Sequence, residues 1–90
     1  MEFIALKIIG KVQRVWFRQS TFTKAEELDI KGYVMNLEDG SVYIEAECES
    51  KFNLDLFTAW CNEGPENSQV ESVEFLKAAY KGYTNFQIVY

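Results

Sequence analysis

The chain has 90 residues, of which 48% are hydrophobic and 16% aromatic, and its net charge is −5. These values predict one compact globular domain, and they exclude a disordered or fibrous chain. The negative charge argues against a general binder of nucleic acid or of an anionic membrane. No stretch approaches the roughly 18 apolar residues of a membrane span. Nothing resembles a secretory signal, so we expect a cytoplasmic protein.

The residue inventory restricts the chemistry further. There is no His, which removes Ser–His and Cys–His catalysis and the commonest protein metal ligand. The two cysteines, Cys48 and Cys61, are too few for a Cys-only zinc site, and we expect reduced, apolar fillers. The only two arginines, Arg14 and Arg18, lie four residues apart. In an acidic protein, an anion is expected to bind at such a pair.

The chain begins with a predicted strand and a predicted helix. Residues 3–9 are apolar on both alternating faces, which indicates a central strand that ends at Gly10. Residues 18–29 have the spacing of an amphipathic helix, which Lys31-Gly32 stops. The residues expected on its buried stripe are Phe22, Ala25 and Leu28.

A hairpin is predicted next. Residues 33–37 and 41–49 form two strands, and the turn between them is Glu38-Asp39-Gly40, where Asp-Gly favours positive φ angles. Apolar and polar residues alternate along the second strand, as in a sheet with one buried face. The residues expected on its exposed face are Glu45, Glu47 and Glu49.

The second half of the chain predicts a helix and two strands. The helix spans residues 51–63, with Ser50 as its N-cap and Gly64-Pro65 as its stop. The strands span residues 69–77 and 84–90. The helix residues expected to face the sheet are Phe52, Leu56, Ala59 and Trp60.

The order β-α-β-β-α-β-β predicts an α+β fold of the ferredoxin-like split β-α-β class, with a fifth strand at the C-terminal end. Right-handed crossovers place the first and third strands in the centre of a mostly antiparallel sheet, with both helices on one face. Loop 10–18, Asn36 and Tyr90 then share one rim. We therefore expect the two arginines to lie close to a polar side chain, that of Asn36.

The segment from Gly10 to Arg18 joins a strand to a helix. Backbone N–H groups in such a loop, together with those at the helix N-terminus, bind anions well. Arg18 adds a planar, two-pronged donor. The segment matches neither a Walker A loop nor a dinucleotide fingerprint. On physical grounds it is a candidate phosphate or carboxylate site.

Two motifs resemble the signatures of the acylphosphatase family. GKVQRVWFR, residues 10–18, is similar to that family's G-x-V-Q-G-V-x-F-R motif. GYVMNLEDGSV, residues 32–42, matches its second motif, G-x-V-x-N-x-x-D-G-x-V, at every fixed position. The resemblance extends to the ending NFQIVY and implies a single acylphosphatase-like domain over residues 1–90.

The resemblance implies hydrolysis of small acyl phosphates to a carboxylate and inorganic phosphate, by a monomer, without metal or cofactor. Arg18 corresponds to the family's phosphate-binding arginine and Asn36 to its water-orienting asparagine. The family's terminal carboxylate often steadies the arginine, and Tyr90 corresponds to that position. The phosphate-binding loop would comprise Gly10, Lys11, Val12, Gln13, Arg14 and Val15.

Arg14 stands where the family's motif has glycine. If the loop needs a positive φ there, an arginine strains it; if not, the side chain adds a cation. The alternative function is therefore a phosphate or acyl-phosphate binding module with weak or no turnover. A third alternative is a small regulatory or interaction domain of ferredoxin-like shape. For Arg18 itself, the alternative to a site residue is a surface helix arginine paired with Glu26 or Glu27.

The other side chains of the loop have less specific predictions. We expect Lys11 and Gln13 to contribute only their backbone N–H groups, with solvated side chains. Of Trp16 and Phe17, one is expected in the core and the other at a wall of the site.

Overall fold

The computed structural model covers all 90 residues and contains five strands and two helices. The strands form one sheet with the order β4-β1-β3-β2-β5, in which only the β2–β5 pair is parallel. This confirms the predicted topology. The elements in chain order are β1 (Glu2–Lys11), α1 (Phe17–Glu27), β2 (Lys31–Asn36), β3 (Val42–Cys48), α2 (Lys51–Glu63), β4 (Gln69–Leu76) and β5 (Phe86–Val89).

Both helices cover the same face of the sheet. α1 packs on β2 and β5, whereas α2 packs on β4, β1 and β3. The core between the layers includes Leu6, Ile44 and Phe57, all fully buried. Cys48 and Cys61 are free and buried in the same cluster, as expected of apolar fillers. Neither helix is long and apolar enough to span a membrane.

β1 does not end at Gly10, contrary to the prediction. The strand continues to Lys11, and its pairing with β4 shifts register between Ile9 and Gly10. Gly10 has a φ of 141°, and a Cβ there would overlap the backbone carbonyl of Gln69. The close approach of β4 therefore explains this glycine.

The boundaries and buried face of α1 also differ from the prediction. The helix ends at Glu27, and Lys31 begins β2 instead of stopping the helix. Its fully buried side chains are Phe17, Thr21 and Ala25, while Phe22 and Leu28 are only partly buried. Thr21 is tolerated in the core because its hydroxyl donates to the carbonyl oxygen of Phe17, 2.7 Å away.

The bounds of α2 are as predicted, and its N-cap is confirmed, because the Ser50 hydroxyl accepts from the Asn53 N–H at 3.1 Å. The predicted buried stripe is wrong except for Trp60, which is partly buried and packs on Phe17. Phe52 and Leu56 are 71% and 43% exposed. The helix carries two apolar stripes with helical spacing, and the sheet covers the other one, in which Phe57 packs on Phe86. The buried residues of α2 are Leu54, Phe57 and Cys61.

Residues 77–85, which connect β4 to β5 and are called the strap here, cover part of the helix-free face. Glu47 is buried beneath them, 3% exposed, and the predicted exposed position is therefore wrong. Its carboxylate accepts backbone N–H groups of Lys81, Gly82 and Tyr83 at 2.6, 3.1 and 2.9 Å. Three charge-assisted hydrogen bonds satisfy the buried carboxylate.

Glu45, the neighbouring outward residue of β3, also holds the strap. Its carboxylate accepts from Lys81 at 2.7 Å and from the Tyr83 hydroxyl at 2.6 Å. Tyr33 and Tyr43 donate to the same carboxylate. Burial raises the pKa of Glu45, but the hydrogen bonds from Lys81, Tyr43 and Tyr83 outweigh it and bring the pKa to about 2. The strap is thus fixed to β3 where it leads into β5.

We predict that Glu47→Leu lowers the free energy of unfolding by about 2–4 kcal/mol, because three backbone donors lose their acceptor. Urea denaturation measures the change. Glu49→Leu is the matched control, since Glu49 is exposed just beyond the end of β3 and its replacement should change stability by less than about 0.5 kcal/mol. Equal effects of the two substitutions would contradict the assigned role of Glu47.

Candidate functional site

A cavity of about 350 Å³ opens between the β1–α1 loop, the start of α1 and the ends of β2 and β5. The predicted shared rim is therefore confirmed: the cavity brings together Arg14, Arg18, Asn36 and Tyr90, which are distant in sequence. Its lining residues are Val12, Arg14, Trp16, Phe17, Arg18, Gln19, Asn36, Ile88 and Tyr90.

The backbone of the β1–α1 loop, residues 12–16, is rich in free donors. Ten backbone hydrogen bonds lie outside the helices and strands, and no N–H of residues 12–16 donates in any of them. Arg14 and Trp16 both adopt left-handed conformations with φ of 64°. Trp16 is also the N-cap of α1, and no side chain caps that end. Loop and helix start thus present unpaired N–H groups at the cavity, as an anion site requires.

Arg18 lies in the first turn of α1 and is held from β5. Its Nη1 donates to the Val89 carbonyl oxygen at 3.2 Å, and its guanidinium carbon lies 4.9 Å from the centre of the Tyr90 ring. Every ion pair of the structure uses a lysine, and Glu27 pairs with Lys24. Arg18 therefore has no carboxylate partner. The expected ion pair with the carboxylate of Tyr90 is not formed.

Asn36 is the last residue of β2 and lines the cavity from the end of that strand. Its Oδ1 atom is buried and has no hydrogen-bond partner, and it is the only buried side-chain nitrogen or oxygen in this condition. An orphaned buried acceptor costs free energy unless a donor comes from outside the protein. Water or a substrate hydroxyl is a donor of that kind.

Gln13 is the residue that sequence reasoning missed. We expected a solvated side chain, but its Nε2 donates to the carbonyl oxygens of Leu37 and Ser41, both at 2.8 Å. Leu37 and Ser41 also pair with each other and close the β2–β3 turn. The amide of Gln13 thus joins the loop to the turn that directly follows Asn36. The motif contained Gln13, but only the fold shows which carbonyls it meets.

The remaining loop predictions have different outcomes. Of the two alternatives left open for Arg14, the structure has the positive φ, and Val12 and Arg14 line the cavity. The other predicted loop residues, Gly10, Lys11, Gln13 and Val15, do not line it. Of the two aromatic residues, Phe17 is buried in the core against Trp60, whereas Trp16 is 79% exposed at the cavity.

No group of three or more His, Cys, Asp or Glu side chains is placed to hold a metal ion. Asp and Glu are absent from the cavity lining. The Cys61 thiol lies in the core, where burial raises its pKa, so it is not a nucleophile at neutral pH.

The acylphosphatase family model matches residues 4–88 of this chain. The chain belongs to the acylphosphatase family. It is 46% identical to an acylphosphatase of Archaeoglobus fulgidus over 97% of this chain and 99% of that protein.

Solved acylphosphatases share the same fold. The Bacillus subtilis structure superimposes with a TM-score of 0.93 at 30% identity, covering 100% of both chains. The Coxiella burnetii structure gives a TM-score of 0.89 at 36% identity, covering 97% of this chain and 90% of the other. The sequence resemblance and the ferredoxin-like fold are both confirmed.

For this acylphosphatase-family chain, we predict that Gln13→Met lowers the free energy of unfolding by about 1–3 kcal/mol, since two hydrogen bonds are lost at nearly constant volume. Activity should fall as well, because the loop and Asn36 lose their common support. Urea denaturation and phosphate release measure the two effects. Gln87→Met, at an exposed position of β5, is the control. A Gln13→Met protein with unchanged stability would contradict the role of this amide.

Proposed function

We propose that this protein hydrolyses acyl phosphates, which are carboxylic–phosphoric anhydrides, to a carboxylate and inorganic phosphate. One observation carries the proposal: an arginine without a carboxylate partner and a buried amide oxygen without any partner line the same cavity. The first suits an anion and the second suits a water. Family membership supports the same reaction.

The phosphoryl group would bind to the N–H groups of the β1–α1 loop and to Arg18. Phosphoryl transfer spreads negative charge over the equatorial oxygens, so donors fixed at those oxygens stabilise the transition state. Arg18 is suited to this because the Val89 carbonyl and the Tyr90 ring hold its guanidinium in place. The remaining guanidinium donors stay available to the substrate.

Asn36 would orient the attacking water through its Oδ1 atom. The water oxygen forms a bond to phosphorus, and the bond between phosphorus and the carboxylate oxygen breaks with its electron pair leaving on the carboxylate. The water proton passes to a phosphoryl oxygen, since the lining residues include no Asp, Glu or His. Positioning is the main requirement, because the carboxylate is already a good leaving group.

We further propose a cytoplasmic, monomeric enzyme that needs no metal or cofactor. The residue inventory supports a reaction without metal, since the chain has no His, the commonest protein metal ligand, and only two cysteines, both buried. EDTA and dithiothreitol should leave hydrolysis unchanged.

The direct test is steady-state hydrolysis of acetyl phosphate by the purified protein, followed as release of inorganic phosphate. Turnover that saturates with substrate and is inhibited by phosphate supports the proposal. Saturable phosphate binding without turnover would instead favour the binding-module alternative.

We predict different losses for the two catalytic residues. Arg18→Ala should weaken phosphate inhibition and abolish turnover, because the anion loses its cation and its two-pronged donor. Asn36→Ala should lower kcat by roughly 10²–10³ and retain phosphate binding. Inhibition constants for phosphate and kcat values separate the two roles.

Matched controls exist on the exposed face of α2. Asn62→Ala and Lys51→Ala remove an asparagine and a cation far from the cavity, and both should retain activity. An equal loss of phosphate affinity in Arg18→Ala and Asn36→Ala would refute the division of labour.

We predict that Arg14→Gly raises kcat/KM. A left-handed conformation costs a non-glycine residue roughly 1–2 kcal/mol, which lowers the fraction of loop in its binding-competent shape. The cation at this exposed rim contributes only about 0–1 kcal/mol. Relief of ~1.4 kcal/mol would correspond to about a tenfold gain.

Arg14→Ala is the matched control, since alanine removes the cation and keeps the backbone strain. It should fall slightly below the wild type, with Arg14→Gly above both. If Arg14→Gly lowers kcat/KM and the loss shrinks at high salt, Arg14 is a phosphate ligand and the charge outweighs the strain.

A further inference from the structure

Asp39 belongs to the second sequence motif, yet it does not line the cavity. It lies in the β2–β3 turn, residues 37–41, two residues before the buried Ser41. Its Oδ1 atom accepts from the backbone N–H of Ser41 at 3.0 Å and also from the Ser41 hydroxyl. An aspartate that accepts from the N–H two residues further on forms an Asx-turn, which restricts the backbone. The carboxylate of Asp39 therefore holds Ser41 in place.

Ser41 uses all its polar groups within this part of the fold. Its carbonyl oxygen accepts from the Leu37 N–H and from Nε2 of Gln13, both at 2.8 Å. Ser41 is only 3% exposed, so its hydroxyl needs a partner as well. The next residue, Val42, is the β3 partner of Asn36. The position of Asn36 at the end of β2 thus depends on the position of Ser41.

Lys7 binds the other oxygen of the Asp39 carboxylate, with 2.8 Å between its Nζ atom and Oδ2. It is the only charged residue between the two ends of β1, on the face opposite the buried Leu6 and Ile8. Glu74 of β4 lies directly across from Lys7, but no ion pair joins them. The hydrogen bond from Lys7, followed by those from Ser41, holds the pKa of Asp39 well below its usual range.

We propose that Lys7 and Asp39 are positioning residues for hydrolysis, which hold the β2–β3 turn so that Asn36 presents its Oδ1 atom to the attacking water. The inference rests on the proposed acyl phosphate hydrolysis. Neither Lys7 nor Asp39 lines the cavity, so both act through the turn. Ser41 is the point at which the two supports meet, because Lys7 fixes it to β1 through Asp39, whereas Gln13 fixes it to the β1–α1 loop.

The turn needs such a support because little else restrains it. Residues 38–40 are exposed, and Gly40 has a φ of 95° with nothing within 4 Å of the place where a Cβ would lie. A partly exposed ion pair contributes little to the free energy of unfolding. A small displacement of a group that orients a reactant, in contrast, has a large effect on rate. Loss of the pair should therefore lower turnover more than stability.

The experiment compares steady-state kinetics of Lys7→Met and the wild type with acetyl phosphate. Methionine keeps the apolar stem and removes the cation. We expect kcat to fall about three- to tenfold, whereas the inhibition constant for phosphate stays within about twofold, because Arg18 and the loop donors are unchanged. Asp39→Asn keeps an acceptor for Ser41 but loses the charge, and it should give a similar loss. Lys7→Arg keeps a cation and should retain most of kcat.

A double-mutant cycle tests whether Lys7 acts through Asn36. In an Asn36→Ala protein, adding Lys7→Met should lower kcat no further, because the group that it positions is already absent. A loss that persists in this background would overturn the inference, since Lys7 would then support some other part of the site or the fold as a whole.

Lys31→Met is the matched control. Lys31 pairs with Asp29 at 2.9 Å, but it lies at the start of β2, whereas Asn36 ends that strand. Glu74→Gln is a second control, because it removes the acid opposite Lys7 without breaking an ion pair. Both proteins should retain the kcat of the wild type. A loss in Lys31→Met equal to that in Lys7→Met would overturn the assignment of a specific role to Lys7.

Amide hydrogen exchange separates this inference from the proposed reaction. The Leu37 N–H donates to the Ser41 carbonyl oxygen, so it should exchange faster in Lys7→Met than in the wild type or in Lys31→Met. Equal exchange in all three proteins would overturn the support of the turn by Lys7. An active wild type whose kcat is unchanged by Lys7→Met would overturn the positioning role alone, whereas a wild type without turnover would refute the proposed function.

Discussion

The side-chain amide of Gln13 is the interaction on which the site depends. It donates to two carbonyl oxygens of the β2–β3 turn, and it thereby fixes the β1–α1 loop relative to the end of β2. Asn36 belongs to that strand end, and Arg18 follows the loop. Phosphoryl transfer requires that the donor to the anion and the acceptor for the water keep their relative positions to within a fraction of an ångström. The part-buried amide of Gln13 provides that constraint, because it joins the loop before Arg18 to the turn after Asn36.

The other side of the site depends on the helix-free face of the sheet. Arg18 is held by Val89 and Tyr90, so its position follows from where β5 lies. β5 pairs only with β2 and is short, with four residues. The strap that leads into it is fixed by Glu45 and Glu47 of β3. Two carboxylates far from the cavity thus help to place the arginine within it.

Sequence patterns predicted the structure correctly where a single local preference, such as the period of a helix or a strand, determines it. Strand order and handedness follow from the types and the order of the elements. The patterns failed where tertiary partners decide. α2 has two apolar stripes, and spacing alone does not tell which one meets Phe86. Alternation predicted an exposed Glu47, because the strap that buries it comes from 34 residues further along the chain. Gln13 was missed for the same reason.

The two departures from local backbone preference in the loop have a common physical origin. Arg14 and Trp16 are left-handed residues with side chains, in a segment whose N–H groups remain unpaired. A loop that formed its own hydrogen bonds would relieve this strain, but it would leave no donors for an anion. The backbone strain at Trp16 also accompanies the abrupt change from an exposed indole to the buried ring of Phe17. Stability is thus reduced at the same positions where the cavity acquires its donors and its apolar wall.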